Sequence, residues 1–225
     1  MSLGLFVTGT DTGVGKTRAS CALLHALRAR HARCVGMKPV AAGAEPDRDG
    51  QLQNEDVLAL RAASSLAVPA ALDNPVLLPD AMSPHLAAAR AGRVIDIGTL
   101  LKAYRALAAQ ADAVVVEGAG GFLVPFSDDL TGADLAVALG LPVILVVGLR
   151  LGCLNHALLT RDAIRRSGLP LAGWIVNRLD PAMPAQEENL AFLARQLAAP
   201  LLADWPWDPA ADPAALGRAM RLREP

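Results

Sequence analysis

Lysine is nearly absent. Only Lys16, Lys38 and Lys102 carry an ammonium, and every other strongly basic side chain is arginine. A chain built on Arg keeps Lys where a compact, strongly hydrated point charge is wanted. Lys102 lies in a helical stretch and reads as surface, which leaves Lys16 and Lys38 as candidates for chemistry. Charge is scarce as well. A balance of 21 Lys+Arg against 22 Asp+Glu gives a net −1, which argues against a nucleic-acid surface dominated by phosphate contacts. No block of like charge suggests a tail. Three cysteines, Cys21, Cys34 and Cys153, stand at no metal-ligand spacing and leave an odd thiol, so a reduced, cytoplasmic protein is expected. Long apolar runs are missing. Leu141 to Val147 has the length of a strand, far short of the roughly 18 residues of a membrane span. The chain enters an apolar strand at Leu3, so neither a membrane nor a signal peptide is expected.

What is present begins with that strand. Leu3 to Val7 is an apolar run, a Gly- and Thr-rich loop follows, and Arg18 to Arg30 reads as a helix with Ala19, Ala22, Leu23, Ala26 and Leu27 on one face. Strand, glycine loop ending in Gly15-Lys16-Thr17, helix: this is the setting of a phosphate-binding loop. Free N–H groups of the loop and helix start point at one place, and the helix dipole favours an anion there. Lys16 would reach the outer phosphates, and the Thr17 hydroxyl would serve Mg²⁺. The loop is a variant, because the first Gly of the common pattern is replaced by Thr10, with Gly9 one step earlier.

Strands and helices alternate along the rest of the chain. Strands are expected at Cys34–Met37, Pro75–Leu78, Ala113–Val116, Pro142–Val147, Leu171–Val176 and Leu201–Trp205. Helices are expected at 54–61, from Ser83-Pro84 to near Gly92, and over 97–109, 131–139, 155–167 and 185–197. The strands are continuous apolar runs, as when both faces are covered. The pattern predicts one α/β domain over residues 1–225: a doubly wound, mainly parallel sheet of about seven strands with helices on both faces, of P-loop NTPase type.

In such sheets ligands sit beyond the C-terminal strand ends. That rule gathers the phosphate loop, Lys38, Glu117 with its glycines, the segment from Gly148 to Asn155, and Asn177 on one rim. Glu117 could reach Mg²⁺ directly or through water. Gly118, Gly120 and Gly121 would let a ligand approach the backbone, or simply make a tight turn. Asp56 is a possible third oxygen ligand, with Asp47, Asp49 and Glu55 competing. Gly152-Cys153-Leu154-Asn155 opens a helix whose free N–H groups could hold a carboxylate, although from the residues alone a plain Asn cap is the favoured reading. Trp205 and Trp207 either border a base or fill the end of the sheet.

Six segments together resemble the dethiobiotin synthetase family, in its order and spacing. They are Thr8–Thr17, Lys38-Pro39-Val40, Ser83-Pro84-His85, Val116–Gly121, Pro142–Gly148 and Leu151–His156. The resemblance runs from Leu3 to about Asp208, and Thr10 belongs to that family's loop. It implies ATP-dependent carboxylation of 7,8-diaminononanoate with CO₂ and closure of the ureido ring, through a carbamate and a carbamic–phosphoric anhydride. ATP and Mg²⁺ are the implied cofactors, and a homodimer with its site at the interface the implied assembly. Lys16 and Lys38 would be catalytic, and Thr17, Asp56 and Glu117 would hold the metal. Gly13, Val14, Gly15, Lys16, Thr17 and Arg18 would cradle the phosphates. Gly118, Ala119 and Gly120 would line the nucleotide. Asn177, Arg178, Pro206, Trp207 and Asp208 would sit by the adenine. Thr12, Lys38, Ala42, Gly121 and the segment Leu151, Gly152, Cys153, Leu154 and Asn155 would bind the substrate, the last taking its carboxylate from the second subunit. Ala42 stands where the family often has Ser or Thr, so only backbone can serve there. Arg178 stands where an acidic residue also occurs.

Two competitors share the fold. An amidating ligase of the cobyrinate type usually carries a glutamine-hydrolysing domain, for which 225 residues leave no room. A switch ATPase of the chromosome-partitioning kind usually has a Lys near the start of the loop, where this chain has Asp11.

Overall fold

The computed structural model of the chain describes residues 2–222; residue 1 and residues 223–225, the ends of the expected 1–225 domain, lie outside the described residues. The chain opens with β1 (Leu3–Gly9), α1 (Lys16–Leu27) and β2 (Cys34–Met37). Short pieces follow: β3 (Val40–Ala42), β4 (Glu45–Pro46), β5 (Leu52–Gln53), α2 (Glu55–Ala63), α3 (Ala70–Asp73), β6 (Val76–Leu78) and α4 (Pro84–Arg90). Regular alternation then resumes with α5 (Ile97–Ala108), β7 (Ala113–Gly121), α6 (Gly132–Leu139), β8 (Val143–Leu149), α7 (Cys153–Arg166), β9 (Leu171–Arg178), α8 (Gln186–Leu197), β10 (Leu201–Trp205) and α9 (Pro213–Arg218).

Six of these strands form one sheet in the order β10-β9-β8-β1-β7-β2, and every pairing in it is parallel. The sequence reading counted about seven. The difference is β6, which pairs with β3 in a separate two-stranded piece. The cause is Pro39, which has no N–H to continue the β2 ladder; the chain leaves the sheet there and carries its next strand away.

Period-2 alternation sorts the core into two layers. Val7, Val115, Ile144, Val146 and Ile175 face the apolar stripe of α1, with Leu60 of α2 and Leu216 of α9. Phe6, Val114, Val116 and Val143 face Leu100 and Leu107 of α5 and Leu135 of α6. Farther along, Leu145, Val147, Trp174 and Val176 pack on Leu193 and Leu197 of α8. The same parity carries chemistry. In β7 the row Ala113, Val115 on the α1 side continues to Glu117, and in β2 the row from Cys34 through Gly36 continues to Lys38. Met37 pairs with Val116, so the next residues, Lys38 and Glu117, arrive side by side beneath the start of α1.

Helix ends follow local rules. Asn54 caps α2 by accepting from the N–H groups of Asp56 and Val57. Thr131 and Asp134 form a capping box at the start of α6, the Asp134 carboxylate accepting from the Thr131 N–H at 2.7 Å. Among the described residues no helix is long and apolar enough to cross a membrane.

Candidate active site

The turn from β1 into α1 needs left-handed backbone at Gly13 (φ 75°) and Gly15 (φ 92°), which glycine adopts at little cost. At Gly15 space adds a second demand: a Cβ there would stand 2.4 Å from Asn177 Nδ2. The Asn177 amide, buried at the end of β9, donates to the Val14 carbonyl at 3.0 Å. Asn177 therefore props the phosphate loop from below.

At the start of α1, two lysines and two carboxylates converge. Lys16 Nζ donates to the Asp11 carbonyl at 2.9 Å. Lys38 Nζ donates to Glu117 Oε1 at 2.5 Å and to Asp56 Oδ2 at 2.9 Å. Burial, and next the Lys38 charge, pull the Lys16 ammonium down to about 8. Burial pulls on Lys38 too, but Glu117 and Asp56 outweigh it and hold that ammonium above its ordinary value. Burial would raise Asp56, yet Lys38 and the Thr17 hydroxyl bring its carboxyl below the usual range. Of the four acidic residues competing for the metal role, the structure brings Asp56 to this point, because the Asn54 cap sets it in the first turn of α2.

The Thr17 hydroxyl lies 2.6 Å from Asp56 Oδ1 and 2.9 Å from Glu117 Oε1. A hydroxyl has one hydrogen, so it can donate to only one of them at a time. Glu117 is 0% exposed, and its Oε2 has no hydrogen-bond partner among the described residues. Two carboxylates and a hydroxyl sharing too few protons fit Mg²⁺, which takes oxygen ligands from one or two carboxylates and completes its shell with phosphate and water. No group of three or more His, Cys, Asp and Glu side chains is arranged for a metal among the described residues.

The flanks of this centre are more open. Thr12 is exposed and lies against Gly120, whose added Cβ would be 3.5 Å from the Thr12 hydroxyl. Gly118 offers its carbonyl to Lys38 Nζ at 3.5 Å, and Gly121 pairs with Gly9; Ala119 lies between them in β7. Ala42 ends β3, and its carbonyl accepts from the side chain of Asn54, so the residue without a hydroxyl is tied to the helix that carries Asp56. Arg18 donates to the carbonyls of Asp208 and Pro209 at 2.8 and 2.9 Å, which hangs the Pro206–Asp208 loop on α1. Trp205 is buried at the end of the sheet, whereas Trp207 is 54% exposed. Arg178 is held by Asp204 at 2.7 Å and by Glu187 at 2.7 Å, so its guanidinium is already engaged. Gly152, in left-handed conformation, is the N-cap of α7. Asn155 therefore lies within the first turn of the helix, exposed, rather than capping it, and the plain Asn cap is corrected. Cys153 is buried and Leu151 is 89% exposed.

A family model described as an AAA domain matches residues 3–215. The ATP-dependent dethiobiotin synthetase of Aromatoleum aromaticum is 54% identical over 217 residues, which cover 96% of either chain. This chain belongs to the dethiobiotin synthetase family. Solved structures outside that family share its fold. A ParA family ATPase from Chlorobium tepidum has a TM-score of 0.59 at 15% identity, covering 97% of this chain and 91% of its own. The septum site-determining protein MinD from Pyrococcus horikoshii has a TM-score of 0.57 at 20% identity, covering 93% and 83%. At these identities the likeness speaks for the fold alone.

Two features of this synthetase-family chain escaped sequence reading. Arg150 reaches Asp11 Oδ2 at 2.7 Å, linking the phosphate loop to the residue before Leu151. Arg61 grips the buried Asp73 through two bonds of 2.6 and 2.7 Å. The only signal for the second was a polar pair, Asp73-Asn74, set before Pro75 in an otherwise apolar stretch.

Proposed function

We infer that the chain carries out the ATP-dependent formation of dethiobiotin from 7,8-diaminononanoate and CO₂, releasing ADP and phosphate, within one α/β domain. The single observation that carries this reading is the cluster of Lys16, Thr17, Lys38, Asp56 and Glu117 at one sheet edge, in a chain of this family.

The chemistry needs such a cluster. One substrate amine captures CO₂ as a carbamate. A carbamate oxygen then attacks the γ-phosphorus of ATP, ADP leaves, and a carbamic–phosphoric anhydride results. The second amine attacks the carbamoyl carbon, expels phosphate and closes the ring. The phosphoryl step drives two anions together, so fixed positive charge must offset their repulsion. Lys38, held between Glu117 and Asp56, would turn its ammonium toward the carbamate and the transferred phosphoryl group. Lys16 would exchange the Asp11 carbonyl for a phosphate oxygen, and the loop N–H groups from Gly13 to Arg18 would cradle the chain of phosphates. Thr17, Asp56 and Glu117 would hold Mg²⁺, which supplies charge neutralisation at the phosphates.

At the adenine end, Asn177 and the Pro206–Asp208 loop would border the base, with Arg178 acting through the position of that wall. Substrate would lie along Thr12, Lys38, Ala42 and Gly121. Its carboxylate would meet the N–H groups from Leu151 to Asn155 of a second copy. Leu151, Asn155 and Leu159 recur at four-residue spacing, and the two leucines are 89% and 62% exposed. Exposed leucines on either side of Asn155, Leu151 just before the N-cap of α7 and Leu159 within the helix, suit a homodimer interface. The three buried thiols suit a reducing cytoplasm.

Labelled bicarbonate tests the reading. Label should enter a ring product of the mass of dethiobiotin only when ATP and 7,8-diaminononanoate are both present. Incorporation without ATP, or none with all three, would refute it.

A further inference from the structure

We propose that Arg61, Asp73 and Asn74 are positioning residues for Lys38, gripping its backbone while the carboxylates grip its ammonium. The inference rests on the reading of Lys38 given above.

Lys38-Pro39 lies where the sheet ladder stops, since β2 pairs with β7 only through Met37. A buried backbone that leaves a ladder must find other partners. Here one corner supplies all of them. The Lys38 N–H donates to the Asp73 carbonyl at 2.8 Å, and the Val76 N–H donates to the Pro39 carbonyl at 3.1 Å. The Asn74 amide donates to the Lys38 carbonyl at 2.6 Å and to the Val76 carbonyl at 3.3 Å. Asp73 and Asn74 are buried, at 3% and 8% exposure. α3 is only four residues long, so it has little internal stability with which to hold this corner. Arg61 holds it instead: Nε and Nη2 form a two-pronged pair with Asp73, a geometry that only a guanidinium supplies.

Both grips come from one helix. α2 sends Asp56 from its first turn to Lys38 Nζ and Arg61 from its last turn, through Asp73, to the Lys38 backbone. The ammonium and the main chain of Lys38 are thereby fixed against the same rigid element. Displacement of a reacting group by about 1 Å can cost on the order of 10²-fold in rate, so loosening the corner should slow turnover while ATP, bound through the phosphate loop, is held as before.

The scarcity of lysine provides a direct probe. Protein labelled with ¹⁵N-lysine should give amide signals for Lys16, Lys38 and Lys102, assigned by the loss of one signal each in Lys102→Arg and Lys16→Arg. Arg61→Gln and Arg61→Lys are the primary variants, because Arg61 is 39% exposed at its side chain and its replacement leaves the core filled; Asn74→Ala is the stronger perturbation. In the ligand-free full chain, Arg61→Gln should speed hydrogen exchange at the Lys38 amide by about tenfold or more and leave Lys16 unchanged. In turnover with ATP, bicarbonate and diaminononanoate, kcat should fall by about 10- to 100-fold with KM for ATP within about twofold. Arg61→Lys should recover only part of either loss. Unchanged Lys38 exchange, or an unchanged kcat, overturns the proposal. A wild-type chain without diaminononanoate-dependent turnover overturns the functional reading and this proposal with it, while normal wild-type turnover with unaffected variants overturns the proposal alone.

Discussion

Lys38 Nζ stands 2.5 Å from Glu117 Oε1, and the two side chains are 5% and 0% exposed. Removing one partner of a buried ion pair typically costs about 3–5 kcal/mol, because the remaining charge is left uncompensated. Lys38→Ala should therefore lose both turnover and stability, with a lowered urea midpoint. Lys38→Met combined with Glu117→Gln should regain much of the stability and none of the activity. Recovery of activity in the double variant would show that Lys38 serves the fold rather than the reaction.

The Thr17 hydroxyl faces two carboxylates with one hydrogen, and Glu117 Oε2 has no partner among the described residues. If these three groups hold Mg²⁺, Thr17→Ala and Asp56→Asn should each raise the Mg²⁺ concentration for half-maximal ADP release by about tenfold or more. A titration of ADP release against Mg²⁺ at saturating ATP reads this. An unshifted Mg²⁺ midpoint in both variants would remove the metal assignment.

Asn155 is exposed on the first turn of α7, flanked at four-residue spacing by exposed Leu151 and Leu159. Asn155→Ala should raise KM for diaminononanoate by about tenfold and leave KM for ATP within about twofold. Leu159→Asp should shift the oligomeric state toward monomer in sedimentation and weaken diaminononanoate in parallel. Equal effects of Asn155→Ala on the two KM values, or a monomer that keeps full affinity, would separate this helix from the substrate.

Burial, reinforced by the charges of Glu117 and Asp56, pushes the Cys21 thiol up to about 12. Burial also raises Cys34 and Cys153. Each folded-state value lies above the unfolded one. The contribution to stability is therefore complete below the ordinary thiol value of 9.0 and is lost as pH rises from there toward the folded values. The urea midpoint should be insensitive to these thiols at pH 7 to 8 and should fall above about pH 9. A thiol reagent at pH 8 should label the native chain slowly and the denatured chain fully. Rapid native labelling at Cys21 would contradict its burial.

The sheet was legible because buried parallel strands are continuous apolar runs, as at Ala113–Val116 and Leu201–Trp205. The rim was legible because chemistry-bearing residues follow those runs directly: Lys38 after Met37, Glu117 after Val116, Asn177 after Val176. Illegible were the pieces too short to show a period. α3 spans four residues and β3 three, and neither length carries alternation or a helical stripe. The partner of Arg61 and the pairing of β6 with β3 were lost with them. Ala185 and Ala198 flank α8 in left-handed conformation, which no local preference for alanine would suggest. The Asp11–Arg150 pair joins residues far apart in the chain, and only the assembled sheet reveals it.

The central claim is that the lysine–carboxylate cluster couples ATP cleavage to carboxylation of a diamine. A continuous phosphate-release assay with Mg²⁺, ATP and bicarbonate, run with and without 7,8-diaminononanoate, tests it most directly. Phosphate release that depends on the diamine, matches ring product one for one and is lost in Lys38→Ala is the predicted result. Hydrolysis that proceeds equally without the diamine would contradict the account and point to a nucleotide-driven switch on the same fold.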